Sequence, residues 1–365
     1  MSVYWNERVR GLSPYTPGEQ PKGISRLVKL NTNENPYPPP PEVLEAITQA
    51  ARRLRLYPDP SSAMLREAAA EHLGLEPENI FAGNGSDEVL AFCFAAFFPS
   101  RGDAGGLPVL FPDITYSFYP VYAALWNVET KTIPLREDFS LNTEDYGIPN
   151  AGVLFPNPNA PTGIALSTDA MRRILEYQYA HQRVLIIDEA YAAFGAESMA
   201  KYVRDFDNML VVQTCSKAAS LAGLRVGYAA GGRALIEALE RVRDSFNSYP
   251  VDTLAAAGAE AALRNWPYYE KINAAVIAAR EEVSRHLRGR GWLVLPSSAN
   301  FIFASPASVQ NGSAENAAGV FQALREQGIV VRYFSGPRVK KFLRISIGSA
   351  EDMHFFLQTV DSLNL

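Results

Sequence analysis

The sequence predicts an α/β fold, a mostly parallel sheet with flanking helices followed by a smaller α+β C-terminal domain, and two observations carry that reading. Short apolar runs rich in β-branched residues (152–155, Val184–Asp188 and Met209–Thr214) alternate with helical stretches. After Pro250 the texture changes, and long Ala-rich stretches precede shorter strands. Taken in order, the first 30 residues read as an extended N-terminal arm, and the prolines at 38–41 as a stiff connector. Between the runs at 152–155 and Val184–Asp188, residues 168–181 place Met171, Ile174, Leu175 and Tyr179 at helical spacing. Strand, helix, strand in that order implies βαβ units, whose parallel strands are buried on both faces. Beyond Pro250, helices are expected over 254–265 and 268–289, and strands near 292–295, 300–303, 329–333 and 342–347. The large domain is thus placed at residues 31–260 and the small one at 261–365.

Composition narrows function before any motif is considered. The 365 residues carry 39 acidic side chains against 34 Lys plus Arg, a formal net charge of −5, which gives no electrostatic footprint for nucleic acid or an anionic membrane. Two cysteines, Cys93 and Cys215, cannot form a disulfide framework, and no Cys/His pair has zinc-finger spacing, so no metal is expected. The longest purely apolar run, residues 89–98, is about half of what a bilayer span requires. The opening MSVYWNERVR lacks an apolar signal region, which points to a cytoplasmic protein. Nothing repeats with the period of a solenoid or propeller. The four histidines, His72, His181, His286 and His354, read as surface or packing residues.

Chemistry concentrates in a few segments. Val184–Asp188 ends in a carboxylate directly after four aliphatic residues, where open α/β sheets hold their ligands, although Asp188 could equally cap a helix. Lys217 lies just past the run Met209–Thr214. A lysine there can be desolvated into the free amine that forms a Schiff base, whereas a lone lysine more often snorkels to water. Its surroundings favour the first reading, because Ser216 and Arg225 are suitable ligands for a phosphate dianion. An imine-forming lysine, a phosphate cradle and a strand-end carboxylate together meet the requirements of pyridoxal phosphate. Residues 83–88 (Gly-Asn-Gly-Ser-Asp-Glu) precede an apolar helical stretch, so free backbone N–H groups could face an anion or simply be capped. Residues 157–163 (Asn-Pro-Asn-Ala-Pro-Thr-Gly) are a turn by composition. In the strand at 342–347, Leu343, Ile345 and Ile347 share one face and Phe342, Arg344 and Ser346 the other, so Arg344 could meet a carboxylate or lie solvated at an edge.

With these segments in this order, the chain resembles the fold-type-I aminotransferases, in the branch containing histidinol-phosphate aminotransferase. The resemblance runs from Leu12-Ser13-Pro14-Tyr15-Thr16-Pro17-Gly18 through Asn33-Glu34-Asn35-Pro36, Tyr57-Pro58-Asp59 and the turn at 83–88. It continues in Asp188-Glu189-Ala190-Tyr191, Ser216-Lys217, residues 221–227 and residues 343–348. It implies the large cofactor domain of that fold, and it implies roles. Lys217 would carry the cofactor and move a proton at the substrate's α-carbon. Asp188 would pair with the pyridinium nitrogen, and Tyr191 would donate to the ring's phenolic oxygen. Tyr116 would stack on the ring, or be a core tyrosine in an aromatic stretch. Gly85, Ser86, Asp87, Ser216 and Arg225 would hold the phosphate, joined by Tyr57 from a second subunit, which implies a homodimer. Arg344 would bind the substrate's carboxylate and Arg332, with Tyr15, its phosphate. Asn35 is carried over as a further substrate contact. The implied partners are an amino-acid or amino-alcohol phosphate and a keto acid.

Two departures stand out. The family usually has asparagine before Pro-Thr-Gly, bonded to the cofactor's phenolic oxygen, where this chain has Ala160; either Asn157 or Asn159 takes over, or Tyr191 acts alone. Residues 333–338 lack the acidic residue that commonly follows the arginine at position 332. The nearest competing activities are an aromatic amino-acid aminotransferase and a threonine-phosphate decarboxylase. A Ser216–Lys217 hydrolase is disfavoured, since adjacent strand residues point to opposite sides and no Gly-x-Ser-x-Gly elbow exists.

Overall fold

The computed structural model describes residues 3–23, 26–102 and 106–365. Among the described residues thirteen strands occur in chain order: β1 (Val28–Lys29), β2 (Ile80–Gly83), β3 (Val109–Pro112), β4 (Thr130–Ile133), β5 (Gly152–Pro156), β6 (Val184–Asp188) and β7 (Met209–Thr214), then β8 (Gly227–Gly231), β9 (Leu293–Val294), β10 (Phe301–Ser305), β11 (Ile329–Val330), β12 (Arg332–Tyr333) and β13 (Leu343–Ser346). Seven of them form the large sheet in the order β2-β8-β7-β6-β5-β3-β4. Strands β4, β3, β5, β6 and β7 run parallel, and β8 is antiparallel to both of its neighbours. Strands β2, β3, β5 and β8 are buried along their whole length, as a sheet covered by helices on both faces requires.

Register positions the chemistry. Pro156 pairs with Asp188, and Asp188 with Val212, so β5 and β6 end at one level and β7 runs two residues further. Gly227 at the start of β8 sits opposite both Thr214 and Gly83, the last residues of β7 and β2. The turns that follow β2, β6 and β7 and the one that precedes β8 therefore open onto the same rim of the sheet.

The helix Thr168–Ala180 buries Met171, Ile174 and Leu175 as its spacing predicts. Tyr179 is half exposed, and the inward position next to it belongs to the fully buried Gln178, whose Nε2 donates to the Tyr146 carbonyl at 3.4 Å. Residues 38–41 are not only a connector: Pro41 opens the helix Pro41–Ala51, a position where a missing N–H costs nothing.

The C-terminal part carries a four-stranded antiparallel sheet, β12-β13-β10-β9, with β1 pairing parallel to β11 beside it. The expected strand over 329–333 is divided at Val331 between β11 and β12. The 24-residue helix Trp266–Gly289 packs on both layers, with Tyr269 and Ile272 in the core of the large sheet and Val276, Val283 and Leu287 in the second core. Val28 and Leu30, from the segment expected as an extended arm, are also built into the second core. That segment contains a short helix, Glu7–Gly11, capped by Asn6. Among the described residues no helix is long and apolar enough to cross a membrane.

Candidate active site

A cleft on the rim of the large sheet is lined by Lys217, Asp188, Tyr191, Ser216, Arg225, Ser86 and Asp87, and also by Tyr15, Tyr116, Arg332 and Arg344. The helix Gly85–Phe97 starts there, and its N-cap Asn84 makes no side-chain cap, so first-turn N–H groups remain available to an anion. Arg225, with φ 54°, turns its guanidinium back across this turn. Its Nη1 donates to Ser216 Oγ at 3.2 Å and its Nη2 to Asp87 Oδ2 at 3.1 Å. The cradle is close-fitting: a Cβ on Gly227 would lie 2.2 Å from the Ser86 nitrogen, and one on Gly85 would lie 2.7 Å from Arg225 Nη2. A serine hydroxyl, a guanidinium and helix N–H groups meeting without bulk between them suit a phosphate.

Asp188 ends β6 fully buried. Burial pushes its carboxyl up to about 6, against the 2.9 Å bond from Tyr119 Oη and the 3.2 Å bond from the Ala190 N–H, which act the other way. A buried carboxylate with this penalty suits a cationic partner in the cleft. The neighbouring Glu189 projects to the other side of the strand, where Ser198, the Met199 N–H and Gln213 donate to it; burial still holds it up to about 7. Lys217 Nζ donates to the Thr32 carbonyl at 2.9 Å and lies 5.8 Å from the Tyr191 ring centre.

At the other end of the cleft, β12 and β13 place Arg332 directly opposite Arg344. Both guanidiniums lie 5.7 Å from the Phe334 ring centre, a shared aromatic contact. Arg344 Nη2 donates to the Asn31 carbonyl at 2.9 Å, while its buried Nε has no partner. Burial and the charge of Arg332 both work against the Arg344 cation. Two like charges facing each other, one with an unsatisfied donor, call for an anionic ligand. Tyr15 reaches the same cleft and stacks on Phe118 at 4.1 Å.

Most of the residues singled out from sequence thus come together, with several corrections. Asn35 does not line the cleft: its amide bonds the Lys217 carbonyl at 3.3 Å and Asn273 Oδ1 at 3.0 Å, so it braces the turn behind the lysine. Asn157 does not line the cleft either, although its buried Nδ2 has no partner among the described residues. Its Oδ1 accepts from the Leu166 N–H at 2.7 Å, and Asn159 instead bonds Thr162 and the Ile114 carbonyl, so neither lines the cleft beside Ala160. The Asp87 carboxylate faces Arg225, Tyr116 (2.7 Å) and Tyr122 (3.3 Å), leaving only its backbone N–H for an anion. Tyr57 is 82% exposed, stacked on Tyr249 at 4.8 Å, and outside this chain's own cleft. Ser216 and Lys217 both line the cleft because they sit in the turn beyond β7, not on the strand, so the opposite-sides argument does not apply to them. Sequence reasoning missed Asn33, Thr32, Tyr119 and Phe334. Tyr119 lay in an aromatic stretch that reads as core, and nothing local distinguishes it.

The described residues fit an enzyme that binds an amine, a buried cation and two anionic groups in one cleft, and the chain belongs to the aminotransferase class I and II family, whose model matches residues 25–360. Histidinol-phosphate aminotransferase of Clostridium acetobutylicum is 49% identical over 361 residues, covering 99% of each chain. Histidinol-phosphate aminotransferase 1 of Bordetella parapertussis is 52% identical over 353 residues, covering 96% of this chain and 95% of its own. Among solved structures, histidinol-phosphate aminotransferase of Sinorhizobium meliloti, in complex with pyridoxal-5'-phosphate, superposes with a TM-score of 0.84 at 24% identity over 100% and 99% of the two chains, a match of fold.

Proposed function

We propose that the chain is a pyridoxal-phosphate-dependent histidinol-phosphate aminotransferase of histidine biosynthesis. It converts L-histidinol phosphate and 2-oxoglutarate to imidazole acetol phosphate and L-glutamate. The observation that carries this reading is the pair of facing guanidiniums, Arg332 and Arg344, in the cleft that also holds Lys217. An amino-alcohol phosphate has no α-carboxylate, so both arginines are free to share its phosphate dianion, while a dicarboxylate such as glutamate can use the same pair.

When bound, pyridoxal phosphate supplies the electron sink that weakens the bond from the substrate's α-carbon to hydrogen. This chain's residues do the rest. Ser216, Arg225 and the N–H groups opening the helix Gly85–Phe97 hold the cofactor's phosphate. Asp188, positioned by Tyr119, keeps the ring nitrogen protonated. Tyr116 walls the ring, and its hydroxyl is tied to Asp87. Tyr191 offers its hydroxyl to the ring oxygen, and Lys217 Nζ accepts and returns the proton at the α-carbon.

The reading includes a cytoplasmic homodimer working on small water-soluble substrates. Leu56 and Tyr57, with the exposed Tyr57–Tyr249 stack, offer apolar surface suited to a second copy. Tyr57 of one subunit then serves the phosphate cradle of the other.

The visible spectrum of the purified holoenzyme tests this directly, before and after L-histidinol phosphate is added without a keto acid. The band of the lysine-bound cofactor should convert to that of its amino form, with no carbon dioxide released. A band that ignores histidinol phosphate but answers to phenylalanine would move the enzyme to the aromatic aminotransferases.

A further inference from the structure

We infer that Asn33 is a positioning residue for the Tyr191 hydroxyl, aiming its proton into the cleft in the absence of an amide at position 160; the inference rests on the cofactor reading above. Asn33 lines the cleft, is 1% exposed, and holds a left-handed backbone with φ 57°. Asparagine tolerates that conformation far better than most residues.

The surrounding bonds fix which way its amide points. The Asn33 N–H donates to Ser346 Oγ at 2.9 Å, so the Ser346 proton is directed elsewhere, and it reaches Asn33 Oδ1 at 2.8 Å. The Asn33 carbonyl is held by Asn300 Nδ2 at 3.0 Å. With Oδ1 committed to a donor, the other end of the amide is the NH₂ group, and it lies 3.0 Å from Tyr191 Oη. Tyr191 is therefore the acceptor in that bond, and its own proton is left for an acceptor inside the cleft. On its other side Tyr191 packs on the apolar cluster of Ala160, Ala299 and Phe301, which offers no competing side-chain partner. The arrangement also ties Tyr191 to the substrate end, because Ser346 follows Arg344 by two residues on β13 and Arg344 itself bonds the Asn31 carbonyl.

The test is the pH midpoint of the holoenzyme's visible absorbance, measured for Asn33→Gly with Tyr191 intact and in the Tyr191→Phe background. Glycine keeps the left-handed backbone and removes the amide. Loss of a well-aimed donor makes the ring oxygen more basic, so Asn33→Gly should raise the midpoint by about half to one pH unit, the size of one net hydrogen bond. In the Tyr191→Phe background, whose midpoint is already raised, the same change should add nothing. If glycine prevents cofactor uptake, Asn33→Asp carries the test. Aspartate keeps the shape but turns the tyrosine proton toward its own carboxylate. The effect of its charge appears in both backgrounds, so the excess rise with Tyr191 intact is the quantity read. An equal displacement in both backgrounds, or none in either, would overturn the assignment. A wild-type protein with no visible band would instead overturn the cofactor reading.

Discussion

Replacing Asp188 with asparagine should change how stability responds to pH in a way the structure specifies. Burial raises this carboxyl from its ordinary 3.8 to about 6. A raised acid keeps its proton longer in the folded chain, so between those two values the folded state carries more protons than the unfolded one. Stability is then full below pH 3.8, falls as pH rises through about 6, and is level above it. At about 1.4 kcal/mol per pH unit, the loss on the alkaline side is about 3 kcal/mol. Asparagine does not ionise. It will misfit the Ala190 N–H or the Tyr119 hydroxyl, but that cost is the same at every pH. The unfolding free energy of cofactor-free Asp188→Asn, relative to wild type, should therefore rise by about 2 kcal/mol from pH 4 to pH 8, most of the full change. Urea titrations at fixed salt measure it. Glu189, held up to about 7, contributes its own slope to both proteins and largely cancels. Loading the cofactor, with its cationic ring nitrogen, should shift the difference at pH 8 in favour of the wild type, because only the wild type then gains a buried ion pair. Parallel pH profiles for the two cofactor-free proteins would refute the reasoning and leave Asp188 as a structural cap.

Three further outcomes are expected. Lys217→Ala should lose both the visible band of the bound cofactor and turnover, checked by spectroscopy and assay on the same sample; an intact band with activity would remove Lys217 from the site. Arg332→Ala should raise KM for L-histidinol phosphate by roughly 10-fold to 150-fold, the worth of a charged hydrogen bond, with little change in steady-state kinetics for an amino donor such as phenylalanine that carries neither a phosphate nor a second carboxylate. Mixing equal amounts of inactive Tyr57→Ala and Lys217→Ala subunits should restore about a quarter of wild-type activity, since half the dimers would hold one complete site; no recovery after confirmed subunit exchange would place Tyr57 outside the partner's cradle.

The fold was legible where the signal is local. The runs Val184–Asp188 and Met209–Thr214 coincide with β6 and β7, and the helix at 168–181 departs from its reading mainly at Tyr179 and Gln178. Both depend on side chains a few residues apart, and burial on both faces leaves such strands little freedom. Pro41 and Val28 were harder, because Pro-rich and two-residue segments carry no periodicity until a neighbour pairs or packs with them. The site was legible in its ionisable members. Lysine, aspartate and arginine at strand ends are costly in an apolar setting and so stand out in the chain.

By itself, then, the sequence determined the alternation of strands and helices, the rim on which Asp188 and Lys217 lie, and the chemical kinds of group that could meet there. Tertiary structure alone decided which groups meet. Asn33 and Ser346 bond across 313 residues of chain, and Tyr119 reaches Asp188 across 69. Asn35, matched to a functional motif by sequence, spends its amide on neighbouring segments instead. The reason is physical. Burial and periodicity are set by neighbours along the chain, whereas a hydrogen bond needs two atoms about 3 Å apart, and that proximity is fixed by strand register and layer packing.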